Sequence, residues 1–502
     1  MIPSQEARNK SFQKYPELEE IKTVRDNFNV ELRKTKRKTL IQKKRASSPL
    51  NKSLQINSSN TLEPSEASLA SILIQVRSCN DIATLEALLH SFKYLSSKFP
   101  NSSFSDYFDG ALIQQFFHIL TCNMVSVQSM ALWVLINEFH NSGASISRFV
   151  SGGVLEVLDS VLKQVTCPDI VENTLWVLGN IVSENIEYRN TVSALGILDR
   201  VIELSGDSDP SIQRTAYWVL FSITCYKPAP AYYISRKILD TVGVGLRSED
   251  SETIEHCAWI AFYLSAAYDQ LLQIILNSEV IGVVQGLLKR TEVEVLKPLL
   301  KTVGNAASGT DSQTKVIVQM GFLSNLLFLS GHPVVQVRGE VLFIVSNILA
   351  STEELALAVY RSPLLRKILD CIQDPNLYLK KSALLCICNS TYLKSLKVLK
   401  VFLNHQVIAP LLQVLLTQEE FLKIESLKAL RNLLSLSKSQ QPFEDHEKMI
   451  GEIYELGGYD SLQDLKTHSN PKITSEAFYV LNTFFDVPNS DSLRPVEVFS
   501  IN

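Results

Sequence analysis

The stretch ENTLWVLGNIVSEN, Glu172 to Asn185, decides the fold because it places Trp176 and Asn180 four residues apart inside an apolar run. Residues four apart on an α-helix share a face, so the indole and the amide should project together. A single pair of this kind is weak evidence. The informative question is whether the pair recurs along the chain.

The pair does recur, at a nearly constant spacing. Successive asparagine positions lie 41 to 43 residues apart, and all four tryptophans stand four residues before such a position. This period falls in the range of about 40 to 47 residues that is typical of HEAT and armadillo repeats. The asparagine positions hold Asn137, Asn180, Ser222, Tyr263, Asn305, Asn347, Asn389 and Asn432, and the tryptophan positions hold Trp133, Trp176, Trp218, Trp259, Lys301, Phe343, Leu385 and Lys428.

The pattern of apolar residues indicates helices throughout the repeated region. From Leu69 to about Asp486 these residues follow a helical period in short segments, with no sustained alternation of period two. We therefore expect an all-α fold, a right-handed superhelical armadillo solenoid of about ten repeats. Prolines 168, 210, 333 and 375 are expected in first helical turns, and glycines 152, 153, 196, 321, 457 and 458 at the junctions between units.

Charge divides the chain into a basic arm and an acidic body. Residues 1–45 hold 13 Lys and Arg against 6 Asp and Glu, whereas the remainder holds 35 against 46. A segment rich in Ser and Asn follows the arm, so the predicted organisation is an arm at 1–45, a flexible linker at 46–68, repeats at 69–486 and a tail at 487–502. Arm and body should attract each other.

Several classes of protein find no support in the sequence. The eight cysteines contain no CxxC, so neither a disulfide framework nor a zinc or other metal site is expected, and a reducing compartment is favoured. No apolar stretch suggests a membrane span or a signal peptide. No HExxH, P-loop or GxSxG arrangement points to catalysis, and no cofactor is implied.

The recurring residues suggest a peptide-binding surface, although a structural role remains open. Rows of amides offer donors and acceptors to an extended backbone, and slots between neighbouring indoles could hold the stems of Lys or Arg. Equally, repeated tryptophans can be core residues, and a repeated asparagine can satisfy backbone groups between units. If the surface binds peptide, the ligand should be short, basic and extended.

The chain resembles the importin-alpha (karyopherin-alpha) family of nuclear import adaptors. The resemblance is carried by WVLIN at 133–137, WVLGN at 176–180, WIAFY at 259–263 and KTVGNAASGTDSQTK at 301–315. It implies that import signals bind at a major and a minor site. The major site would comprise Trp133, Asn137, Glu172, Trp176, Asn180, Glu184, Trp218, Ser222, Trp259 and Tyr263, and the minor site Lys301, Asn305, Asp311, Phe343, Asn347 and Asn389.

Departures from the family pattern are concentrated in the minor site. Phe343 and Leu385 stand where tryptophans are expected, and Ser382 stands where a glutamate is expected. In the major site, Ser222 replaces an asparagine and Ile146 a threonine. We expect bipartite signals to gain little over monopartite ones.

The basic arm resembles the segment of the same family that binds importin-beta. The matching stretch is NVELRKTKRKTLIQKKR, residues 29–45, and its KKR end itself resembles an import signal. This implies an arm that binds importin-beta and, when importin-beta is absent, inhibits signal binding from within the chain. The arm residues concerned are Arg33, Lys34, Lys36, Arg37, Lys38, Lys43, Lys44 and Arg45.

Two other interpretations compete with the adaptor. A catenin-type armadillo scaffold would be expected to favour acidic ligands, and an isolated basic arm could bind nucleic acid. The adaptor interpretation predicts importin-beta, cargo proteins and an export receptor with Ran-GTP as partners, without nucleic acid or membrane insertion. The export receptor is implied by the family resemblance of residues 454–485. Shuttling between cytoplasm and nucleus would follow.

Overall fold

The structure, a computed structural model, describes residues 66–96, 99, 103–439 and 442–485. In these ranges the chain is helical and contains no β-strand. The predicted arm, the linker up to residue 65 and the tail lie outside the described residues, and so do all eight basic arm residues singled out above.

The described residues divide into two compact units, the first ending at Pro230 and the second beginning at Ala231. The first unit contains α1 (Glu66–Ser78), α2 (Ile82–Ser96), a 3₁₀ turn (Ser105–Tyr107), α3 (Gly110–Thr121), α4 (Val125–Asn141), α5 (Gly143–Ser151), α6 (Val154–Gln164), α7 (Pro168–Val182), α8 (Ile186–Ala194), α9 (Ile197–Leu204) and α10 (Pro210–Thr224).

The second unit continues the same alternation of short and long helices. It contains α11 (Tyr232–Gly245), α12 (Ser251–Ala267), α13 (Asp269–Asn277), α14 (Glu279–Leu287), α15 (Val293–Ala307), α16 (Asp311–Gln319), α17 (Phe322–Leu329), α18 (Val335–Leu349), α19 (Glu353–Tyr360), α20 (Leu364–Ile372), α21 (Leu377–Thr391), α22 (Leu396–Asn404), α23 (Ile408–Leu415), α24 (Glu420–Lys438), α25 (Glu444–Glu455), α26 (Gly458–Asp464), a 3₁₀ turn (Leu465–Thr467) and α27 (Pro471–Phe484).

The last helix of each repeat forms the core of its unit, and we call these the ladder helices. They are α2, α4, α7 and α10 in the first unit and α12, α15, α18, α21, α24 and α27 in the second, and within each unit each packs against the next. In α7, for example, side chains are buried on almost every face, and Ile170, Leu175, Val177 and Leu178 are all covered. Such all-round apolar character is what a central helix requires.

Most repeats add two short helices before the ladder helix. Together with the shortened repeats at α1–α2, α3–α4 and α11–α12, the described residues hold ten repeats, as the period of the sequence predicts. The armadillo-type repeat is thus confirmed within each unit.

Glycines turn the chain at a different place from the one expected. Gly153, Gly196, Gly321 and Gly457 have positive φ, but each lies between the first and second helices of a repeat, not between repeats. Several helices that open a repeat instead receive polar N-caps, namely Ser142, Asn185, Thr310, Thr352 and Ser395. The left-handed glycines thus serve the tight turn within the repeat, whereas Lys394, with a φ of 51°, is a left-handed residue between two repeats.

The prolines follow their prediction in part. Pro168 and Pro210 occupy the first turns of α7 and α10. Pro333 and Pro375 instead lie one residue before the N-caps Val334 and Asn376, outside their helices.

Among the described residues, no single helix has the length and apolar character needed to cross a membrane. Two bent pairs, α13 with α14 and α22 with α23, meet the same criterion only when their helices are taken together.

Candidate functional site

The indoles of the first unit are covered, not spread along an open trough. Trp133, Trp176 and Trp218 are 9%, 7% and 3% exposed. The rings of Trp176 and Trp218 touch, with centroids 4.7 Å apart and planes inclined by 37°. Their role as ligand contacts therefore depends on which ring edges and faces a peptide can reach.

The contact between these two rings leaves no room for a lysine stem. Carbon atoms pack at about 3.5–4.0 Å, so a stem between two ring faces needs a separation of about 7 Å. The expected slot is thus absent at this step of the described ladder. The two rings touch because of Gly179 in α7. A Cβ at this position would stand 2.0 Å from Cζ3 of Trp218, so glycine allows the Trp218 ring of α10 to pack directly on the backbone of α7.

Trp133 has a different neighbour on its ring. The Nζ atom of Lys93, from α2, lies 5.1 Å from the ring centroid, inside the range of about 6 Å for a cation–π contact. The sequence analysis missed Lys93 because this residue occupies neither position of the repeated pair.

The asparagine amides hold consecutive ladder helices together. Asn180 donates through Nδ2 to the Ile136 carbonyl at 3.3 Å, and Asn305 donates to the Phe262 carbonyl and to Ser265 Oγ. Asn347 and Asn389 donate to Ser308 Oγ and to the Ser346 carbonyl. Asn137 differs, since it donates within its own helix to Trp133. The structural role left open by the sequence is therefore present, and a peptide would have to share these amides.

One amide keeps an unused acceptor. Asn347 is 1% exposed, and its Oδ1 has no hydrogen-bond partner among the described residues. A buried carbonyl oxygen without a donor is unfavourable, so this oxygen would gain from a ligand N–H if α18 and its neighbours admitted one.

Two carboxylates flank the pair Trp176 and Asn180. Glu172 is half-buried and accepts from Trp176 Nε1 at 3.1 Å, which fixes one edge of the indole. Glu184 is exposed just beyond the end of α7, where its Oε1 lies against Gly143. The positions 172, 176 and 180 share one face of α7, and Glu184 continues this four-residue spacing just beyond the helix end, so one acid stands at each end of the Trp176 and Asn180 pair. Ser222 is buried in α10 and offers no carboxylate or amide in this row.

In the second unit, Trp259 is packed among aromatic rings. It is 1% exposed, and its ring lies 5.8 Å from that of Phe262 and 5.9 Å from that of Tyr263. Tyr263, which replaces the asparagine, thus forms part of an aromatic cluster with the tryptophan of its own helix.

Lys301 is held by the protein itself. Its Nζ lies 2.8 Å from Glu340 Oε1, with side chains 4% and 10% exposed, and 5.8 Å from the ring centroid of Phe262. The cation that replaces a tryptophan in the ladder is therefore neutralised across α15 and α18. Nearby, Asp311 accepts from Ser351 Oγ at 2.6 Å, and Phe343 packs against Gly304.

A buried carboxylate follows the ladder position Asn137. Glu138 is 4% exposed and accepts from Ser145 Oγ at 2.6 Å and from the Phe104 amide at 3.0 Å. Burial raises the pKa of Glu138, and these hydrogen bonds, with one from Ser103, oppose the rise. No sequence signal marks this residue, because its partners are distant in the chain.

No group of three or more potential metal ligands comes together in the described part of the chain.

Comparisons with known proteins were made for both sequence and structure. Residues 8–89 match the family described as the importin beta binding domain. Importin subunit alpha-3 of Arabidopsis thaliana is 24% identical over 502 aligned positions, covering 97% of this chain and 93% of that protein. Importin subunit alpha-1a of Oryza sativa is 25% identical, covering 70% and 68%. The crystal structure of an engineered protein aligns with 85% of this chain and 100% of its own, with a TM-score of 0.70 and 20% identity.

The repeats and their ladder helices define an armadillo-repeat protein. The N-terminal match and the near full-length likeness to importin alpha subunits support membership of the importin-alpha family.

Proposed function

We propose that this chain is a nuclear import adaptor, which binds basic import signals of cargo proteins on its ladder helices and engages importin-beta through its N-terminal arm. The observation that carries the proposal is a match to the importin beta binding domain at residues 8–89, joined to repeats with a recurring Trp and Asn pair. The adaptor's task requires both features in one chain.

In this proposal the major site is centred on α7. A basic signal lies along the face that carries Glu172, Trp176 and Asn180, with Glu184 just beyond the helix end, and the carboxylate at each end of this face favours the cations of the signal. Trp133, Asn137, Trp218, Ser222, Trp259 and Tyr263 belong to the same proposed site by family position.

The minor site is proposed to be weak. Lys301 is paired with Glu340, and Phe343 and Leu385 supply no indole, so the second unit has fewer places for a cation. Asn305, Asp311, Asn347 and Asn389 would contribute backbone contacts only. Bipartite signals should therefore bind little more tightly than monopartite ones.

Two acids on the first unit provide a matched test of the major site. Glu184 and Glu187 are both exposed and three residues apart, but only Glu184 follows Asn180 at the four-residue spacing of the proposed site. With a fluorescent peptide containing five consecutive lysines, Glu184→Gln should weaken binding roughly two- to fivefold, as for one exposed charge pair. Glu187→Gln should leave binding unchanged. Equal effects of both variants, or no peptide binding at all, would contradict the major site and favour the scaffold.

A second comparison tests the weakness of the minor site. Asn180 and Asn347 each bridge two ladder helices, so Asn180→Ala and Asn347→Ala disturb the fold in similar ways. The affinity for a bipartite peptide should fall in Asn180→Ala and stay close to that of wild type in Asn347→Ala. Equal losses would show that both sites bind.

Engagement of importin-beta is tested on the arm. Co-elution of the full chain with importin-beta should be lost when Lys36, Arg37 and Lys38 are all changed to Glu and retained when Lys10, Lys14 and Lys22 are changed instead.

We also propose that residues 454–485 contact an export receptor with Ran-GTP, which would allow shuttling between cytoplasm and nucleus. Co-elution of the chain with an export receptor and Ran-GTP tests this proposal, and a failure of the three proteins to co-elute would contradict the export step.

A further inference from the structure

Lys93 is placed where a ligand lysine would be expected to sit. It lies on α2, the first ladder helix, and its Nζ is 5.1 Å from the ring centroid of Trp133 on α4. Trp133 carries the first of the recurring pairs and is the indole nearest the start of the ladder. The contact lies entirely within the first unit.

The aromatic ring is the principal partner of this cation. Among residues 66–96, 99, 103–439 and 442–485, no carboxylate lies within ion-pair distance of Lys93, whereas other cations of the first unit, such as Arg77 and Lys163, do form such pairs. Burial lowers the pKa of Lys93, which agrees with an ammonium group compensated mainly by a ring. An indole face is the best aromatic partner for such a group.

Trp176, the next indole along the ladder, contacts different groups. Its ring meets the ring of Trp218, and its Nε1 donates to Glu172. A carboxylate thus lies against Trp176, whereas an ammonium group lies against Trp133. Two ammonium groups within about 6 Å of one ring would repel each other, so Lys93 and a ligand lysine compete for Trp133.

We propose that Lys93 fills the Trp133 position with a cation of the protein's own, so that this adaptor reads a short basic signal beginning at Trp176 and rejects an additional cation at Trp133. The inference rests on the proposed function, which it deepens by naming a residue that sets specificity. One repeat corresponds to about three residues of extended peptide, so the excluded position lies about three residues beyond the core of the signal.

The test uses peptides that differ only beyond a core of four lysines. One set extends the core by three lysines at either end, and the matched set extends it by three alanines. For each protein variant, the quantity of interest is the Kd of the alanine-extended peptide divided by that of the lysine-extended peptide, measured by fluorescence anisotropy at fixed salt. This ratio isolates the benefit of the extra cations.

In Lys93→Met this ratio should rise at least about threefold over wild type, the scale of one cation–π contact. Lys93→Arg keeps the internal cation and should behave as wild type. Lys163→Met, which also removes one positive charge from the first unit but on the second helix of a repeat, should leave the ratio unchanged. In the double variant Lys93→Met with Trp133→Ala the rise should disappear.

The outcomes separate this inference from the proposed function. Binding of the four-lysine core by wild type, with no rise in Lys93→Met, overturns the role of Lys93 and leaves the adaptor standing. A rise that persists without Trp133 also overturns it, since the effect would then be one of net charge. No binding of any peptide by any variant, with helical content retained in circular dichroism, overturns both.

Discussion

At the scale of the residue, the ladder asparagines have a structural function that any ligand must share. Asn180 is fully buried and donates across the gap between α7 and α4 to the Ile136 carbonyl. The same direction of donation recurs at Asn305, Asn347, Asn389 and Asn432. The spacing of the sequence places these residues in a row, but it does not indicate that each Nδ2 would face the preceding helix.

Removal of one such amide should be costly. We expect Asn180→Ala to lower the free energy of unfolding by about 1–3 kcal/mol, because the Ile136 carbonyl loses a buried donor. Guanidinium denaturation followed by circular dichroism measures the change. Asn404→Ala, at an exposed helix end, is the control and should lie within about 0.5 kcal/mol of wild type. Similar values for both variants would mean that the amide only fills space.

Glu138 should make stability depend on pH. Its folded pKa is raised, so its contribution is fully present below the ordinary glutamate pKa of 4.5 and is lost as pH rises through the folded value. The stability of wild type relative to Glu138→Gln should therefore fall as pH rises above the ordinary glutamate pKa of 4.5. Denaturant midpoints of wild type and of Glu138→Gln, measured at a series of pH values, test the sign of this pH dependence. Exposed Glu156→Gln is the control, and a relative stability that rose with pH would contradict the assigned cause.

At the scale of the element, close helix approach decides what the indoles can do. Trp218 rests on Gly179 with no space for a Cβ, and this contact brings its ring against that of Trp176. The repeat period predicted from the sequence is correct, as is the helical class. Ring separation could not be predicted, since it depends on rotamers and on the distance between two helices, which a one-dimensional pattern does not contain. The contact between Lys93 and Trp133 could not be predicted for the same reason.

A methyl group at Gly179 should disturb this packing. Gly179→Ala places Cβ 2.0 Å from Trp218 Cζ3, so we expect a loss of about 1–3 kcal/mol and a changed near-ultraviolet circular dichroism of the indoles. Gly286→Ala, in α14, has nothing within 4 Å of its new Cβ and should instead gain about 0.5–1 kcal/mol from helix propensity. Thermal and denaturant unfolding compare the two. Stabilisation by both changes would show that the ring moves away without cost.

At the scale of the whole molecule, charge divides the chain into two parts of opposite sign. Residues 1–45 carry a net charge of +7, and the remaining residues carry −11. A tethered basic segment has an effective concentration on the order of millimolar, so even weak attraction to an acidic body would occupy it. We infer that the arm inhibits peptide binding until importin-beta engages the same residues. Carrier binding and cargo binding are then linked by one reciprocal free energy.

The cluster Lys43, Lys44 and Arg45 should carry most of this inhibition. Changing all three to Ala in the full chain should tighten binding of a lysine-rich peptide about tenfold at low salt, because an internal competitor is removed. Changing Lys10, Lys14 and Lys22 removes the same charge from the arm outside the cluster and should have less than a twofold effect. As salt rises toward about 1 M, where the screening length falls to about 3 Å, the gain should shrink toward unity. Anisotropy titrations of wild type and of both triple variants, at low and at high salt, measure these affinities. A gain equal in both triple variants would assign the effect to net charge, and a gain unaffected by salt would exclude an electrostatic competitor.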